Sequence, residues 1–148
     1  MVGGLGSKED HYHIVNLSTA GDHTAISATT SQAIFVAPCA CEILDIGMEV
    51  TTSVAAHSSN HWTIAVTNQT GDAALLSSSF STDSDVATTS NGSRAFTGDS
   101  KLSLNYNGTT NFLQNAILAE GDMLILTATK ASSASNLTYP VIVVKYRP

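Results

Sequence analysis

Apolar residues fall at every second position in three separate stretches of this chain. They are Trp62, Ile64 and Val66 in HWTIAVTN, Leu102, Leu104 and Tyr106 in KLSLNY, and Leu124, Leu126 and Ala128 in MLILTATK. A period of two belongs to a β-strand whose alternate side chains enter a core, whereas a helix needs spacings of three and four. CEILDIGMEV repeats the pattern with Leu44, Ile46, Met48 and Val50 on one predicted buried face. Gly47 in the middle of that run marks a bulge or a close backbone approach. QAIFVA ends at Pro38, which cannot donate to a ladder, and the final YPVIVVKY is rich in β-branched residues. HYHIVNL, with Tyr12 and Ile14 on one face, makes a possible first strand. Clusters of Gly, Asn, Ser and Asp separate these runs, as in NQTGD and NGTT.

No segment carries a sustained helical period, and only FLQNAILAE fits a short helix as an alternative. The pattern predicts an all-β protein, an antiparallel β-sandwich of about eight strands, jelly-roll-like. Residues 1–20 read as a flexible N-terminal arm with a possible first strand, and residues 21–148 as the sandwich domain. Trp62, Leu124, Leu126 and Ile142 are the expected structural core. Residues 81–100 read as a long polar loop with at most a short strand at Ala95-Phe96.

Charged residues make up only 12% of the 148, and the formal net charge is -6. The six Lys and Arg residues are scattered, so no basic patch is available to displace counterions, and nucleic acid is not an expected partner. The longest apolar runs, such as Val141 to Val144, are too short to span a membrane, so no membrane partner is expected either. MVGGLGSKEDHYH lacks the basic flank and apolar core of a secretory signal. The polar surface instead falls mainly to Ser and Thr, which suits a durable β-protein packed against neighbours.

Each group of residues with chemical potential has a structural reading as well. Glu120-Gly121-Asp122 could be a carboxylate pair, but carboxylates flanking a glycine at a strand entrance read as a turn. Asp83-Ser84-Asp85 has alternating oxygen ligands without the glycine and terminal glutamate of a calcium loop. His11 and His13 share a strand face and His57 and His61 bracket a loop, yet the spacing does not bring three ligands together. Cys39 and Cys41, two apart on a strand, point the same way but sit too far apart for an unstrained bridge, and read as small hydrophobes. There is no G-x-S-x-G and no glycine-rich phosphate cradle. No catalytic, cofactor-binding or metal residue is assigned, no cofactor is implied, and enzymatic activity is not expected. Asn-x-Ser/Thr sequons begin at Asn16, Asn68, Asn91, Asn107 and Asn136, a number that chance supplies in so Ser/Thr-rich a chain.

Four stretches in order, QAIFVAPCACEILDIGMEVTT, HWTIAVTNQTGDAALLS, LQNAILAEGDMLILTATKASSASNL and VIVVKY, resemble a class of tailed-bacteriophage head decoration, or cement, proteins. The resemblance covers roughly residues 32 to 146 as a pattern of strands and turns. It implies a jelly-roll-like homotrimer on the outer capsid surface of a virion, folded in a host cytoplasm and clamping neighbouring major capsid proteins. The family carries no catalytic residues. On this reading the arm makes the capsid contact, with Lys8, Glu9, Asp10, His11 and His13 as candidates. The alternatives are a phage tail-fibre or receptor-binding module and a carbohydrate-binding β-sandwich, the latter stacking sugars on Trp62, Tyr106, Tyr139 or Tyr146.

Overall fold

The structure, a computed structural model, describes residues 9–19 and 21–148. The long strands are β1 (His11–Asn16), β3 (Thr30–Val36), β4 (Cys41–Glu49), β5 (Trp62–Asn68), β10 (Met123–Lys130) and β12 (Val141–Arg147). Two-residue strands lie between them: β2 (Ala25–Ile26), β6 (Ala73–Ala74), β7 (Phe80–Ser81), β8 (Leu102–Ser103), β9 (Ile117–Leu118) and β11 (Leu137–Thr138). Among the described residues the single helical element is a 3₁₀ turn, Thr88–Ser90. FLQNAILAE contributes β9 and not a helix.

One sheet has the order β1-β12-β4-β8, with β9 also on β4. The other has β3-β10-β5-β6, with β7 also on β5, and β11 pairs β2 in a small ribbon. All pairings are antiparallel. Counting β6 with β7 and β8 with β9 as single passes, the eight passes run 1-8-3-6 in the first sheet and 2-7-4-5 in the second. That interleaving is jelly-roll-like, because strands close in sequence alternate between the sheets.

The period of two becomes burial directly in β5, where Trp62, Ile64, Val66 and Asn68 are buried and the residues between them are half-buried. Leu124, Leu126 and Ala128 of β10 stand beside that row in the same sheet, and Ile142 and Val144 of β12 join the core from the opposing sheet. Trp62, Leu124, Leu126 and Ile142 are all 0% exposed. The Trp62 indole N–H donates to the Ser135 carbonyl at 2.8 Å, so its polar atom is satisfied inside the core.

Two bulges break the period. In the β4–β12 ladder Lys145 faces Asp45 but Tyr146 faces Ile43, which leaves Leu44 unpaired. The predicted face of β4 is therefore corrected at that residue. Cys41 and Ile43 enter the core on one side of the bulge and Ile46, Met48 and Val50 on the other, while Leu44 is only half-buried. In the β3–β10 ladder Ile34 is skipped, so Ile34 and Phe35 are buried side by side. Gly47 is the site of a close approach and not of the bulge. A Cβ there would come within 2.3 Å of Lys101 Cε, because the lysine stem lies across it. Tyr106, expected inward, is 47% exposed, since the chain leaves β8 after Ser103.

Candidate interaction surface

β1 ends its sheet, with β12 as its neighbour there. Its two flanks differ. On the outer flank Tyr12 is 59% and Ile14 65% exposed, and the register sets them opposite Lys145 and Val143. Val143 in turn faces Gly47, so Ile14, Val143 and the Lys101 stem form one row across the sheet. The Lys145 ammonium lies 5.8 Å from the Tyr12 ring centre. Ion pairs border this apolar strip. Lys145 Nζ meets Asp10 Oδ2 at 2.9 Å, Arg147 Nη2 meets Asp10 Oδ1 at 2.7 Å, and Lys101 Nζ meets Asp45 Oδ2 at 2.8 Å. An apolar centre with a charged rim is the anatomy of a protein-binding patch.

The inner flank of β1 is aromatic. His11 stacks on Tyr146 at 5.4 Å, Tyr146 tilts against Phe35 at 4.9 Å, and His13 meets Phe35 edge-on at 5.7 Å. Because Phe35 belongs to β3, this chain of rings closes the gap between the edge strands of the two sheets. The Gln32 side chain makes a second tie, donating to the Asn16 carbonyl at 2.9 Å and accepting from the Ser18 N–H at 3.0 Å.

The candidate contact residues of the sequence therefore separate. Lys8 lies outside the described residues. Glu9 is exposed, and Asp10 is engaged by Lys145 and Arg147, which hold its carboxyl below the usual carboxylate range. The same bond holds the Lys145 ammonium above the usual lysine range. His11 and His13 turn toward Tyr146 and Phe35, away from the outer strip. Tyr12 and Ile14, which sequence reasoning passed over as contacts, are the exposed apolar pair. Their alternation alone does not distinguish an inward face from an outward one.

The remaining candidates take structural places. Gly121 has φ +86° at the turn into β10, and Asp122 Oδ2 accepts from the Ala119 N–H and from Asn68 Nδ2, both at 3.0 Å. Asp83 Oδ1 accepts from the Asp85 N–H at 2.9 Å, and Asp83 Oδ2 lies 3.7 Å from His61 Nε2. His57 Nδ1 accepts from the N–H groups of Ser59 and Asn60 at 3.0 and 3.1 Å, which shapes its own loop. Cys39 and Cys41 are free, and burial pushes the Cys41 thiol up. Among the described residues no group of three or more His, Cys, Asp or Glu side chains converges.

No family model and no curated protein matches the chain. Among solved structures, a chain described as "Cyanophage Pam1 capsid asymmetric unit" is similar, at 16% sequence identity over 94% of this chain and 83% of that chain, with a TM-score of 0.46. A likeness at that level is too loose to assign a role, so the functional reading rests on the chain's own residues.

Proposed function

We propose that this protein is a non-enzymatic structural protein of a phage virion, a homotrimer that decorates the outer capsid surface and braces neighbouring major capsid proteins. The observation that carries the reading is the outer strip of β1, where Tyr12 and Ile14 stand exposed inside a border of ion pairs. Large apolar side chains at a rigid sheet edge suit protein docking, and the resemblance of residues 32 to 146 to head decoration proteins supplies the class of partner. A clamp of this kind needs no catalytic group. It needs many copies of one modest contact, whose avidity grows with the number engaged. The anchoring of β1 by Asp10 helps, because a pre-ordered edge loses less conformational freedom on docking.

The test is co-sedimentation with expanded empty heads of the phage that carries the gene. Wild-type protein is expected to pellet with the heads in a saturable way, and Tyr12→Ser combined with Ile14→Lys to lose at least tenfold in affinity while keeping its circular dichroism. Binding unchanged in that folded double variant would remove the β1 strip from the contact. Wild-type protein that never pellets would remove the decoration reading.

A further inference from the structure

The two sheets carry charge very unequally. Strands of the first sheet contain Glu42, Asp45, Glu49, Lys145 and Arg147. Strands of the second contain a single charged residue, Lys130 at the end of β10. Its Nζ donates to the Ser27 carbonyl at 3.0 Å and Asn136 Oδ1 at 3.1 Å, and lies over the Trp62 ring at 5.9 Å. None of the chain's 12 carboxylates stands on the second sheet.

The outer face of that sheet is built from hydroxyl and uncharged apolar side chains in register. One row runs Ala33–Ile125–Thr67 across β3, β10 and β5, and the next runs Ser31–Thr127–Ala65. A single side-chain bond ties the second row, Ser31 Oγ to Thr127 Oγ1 at 2.8 Å. Soluble sheet faces ordinarily gain solubility from charge, and edge strands use it to repel other chains. This face has neither protection.

We infer that the outer face of the β3-β10-β5 sheet packs against a second copy of this chain. Charge decides the occupant. Two copies, each with a formal charge of -6, repel through their carboxylates, and this sheet is where they can meet with those groups outside the contact. A basic partner would instead be drawn to Asp45, Glu49 or the acidic loops. Threonine and serine hydroxyls both donate and accept, so a surface made of them can pair with another protein surface, its own included, without a complementary charge. The copy number of three comes from the function proposed above; the assignment of the face does not depend on it. The two sheets would then divide the work, one facing other copies and the other, through β1, facing the shell.

Sedimentation velocity of the purified protein at micromolar concentration tests the inference. Wild type is expected to sediment as a multimer. Thr127→Glu, a charge at the centre of the face, is expected to raise the dissociation concentration at least tenfold with the circular dichroism unchanged. Ile14→Glu, an equal charge on the other sheet, is expected to leave the multimer intact. If Thr127→Glu fails to fold, Ala65→Arg serves with the same readout. A monomeric wild type, or a folded Thr127→Glu that remains multimeric, overturns the inference. Loss of head binding in a protein that still assembles would count against decoration and leave this face standing.

Discussion

Asn91→Ala should be among the more damaging single changes in the polar stretch between Ser81 and Ser100. Asn91 is 0% exposed, and its side chain joins three segments. Nδ2 donates to the Leu104 carbonyl at 2.8 Å and the Ser78 carbonyl at 3.1 Å, and Oδ1 accepts from Arg94 Nη1 at 2.8 Å. The residue also has φ 59°, left-handed backbone that asparagine tolerates better than alanine. Losing two neutral buried bonds costs about 1 kcal/mol each, and losing the one to a guanidinium about 1.5 to 3. Holding alanine left-handed adds about 1 kcal/mol, for a total of about 4.5 to 6. At roughly 2–4 °C per kcal/mol for a chain of this size, the melting temperature should fall by about 10 °C or more. Differential scanning calorimetry measures this, with Asn91→Gly as the partner variant. Glycine relieves the backbone but not the lost bonds, so it should recover about 1 kcal/mol. A drop under about 3 °C in the alanine variant would refute the keystone role. Equal losses in both variants would refute the backbone part.

Two further perturbations probe the corner and the edge strand. Gly121→Val forces a β-branched residue to φ +86° and should destabilise the fold by about 1 to 3 kcal/mol in urea melts, whereas exposed Glu120→Gln should stay within about 0.5; a large effect of Glu120→Gln on head binding in a folded protein would give that carboxylate a functional role. Acid should loosen β1. The Asp10 carboxyl is depressed first by its bond to Lys145 and then by Arg147, so its contribution is present above the ordinary carboxylate range and is lost as pH falls through the lowered value. Lys145 has the opposite sign, its contribution being complete below the usual lysine range and lost only in strong alkali. The Ile14 methyl resonance should therefore hold steady through neutral pH and shift in acid below about pH 4, and Asp10→Asn should abolish that step. An identical acid step in Asp10→Asn would detach it from this ion pair.

How far the fold was legible in the chain varies from strand to strand. β5, β10 and β12 are long alternating runs, and the more apolar face of each carries Trp62, Leu124 and Leu126, or Ile142, all of which are buried. Local chemistry was equally sufficient at Glu120-Gly121-Asp122, where a glycine at positive φ and an aspartate accepting neighbouring N–H groups make a corner whatever packs beside it. Leu44 shows where such reasoning ends. Its place in the alternation pointed inward, but a bulge depends on how β4 and β12 match in length, and that is a property of the pair. Asn91 stood as one sequon among five, and its burial depends on Ser78, Arg94 and Leu104 converging from different parts of the chain.

The candidate surface was less legible still. The histidines at 11 and 13 drew attention for their chemistry; both are exposed, His11 stacking on Tyr146 of β12 and His13 meeting Phe35 of β3 edge-on, while the apolar Tyr12 and Ile14 stand exposed on the other flank. Period-two alternation specifies which residues share a face, and so it was enough for the class of fold and most of the core. Which of two faces meets the opposing sheet depends on strand order and on what lies beyond the edge. Those relations arise between segments more than a hundred residues apart, and no local pattern encodes them.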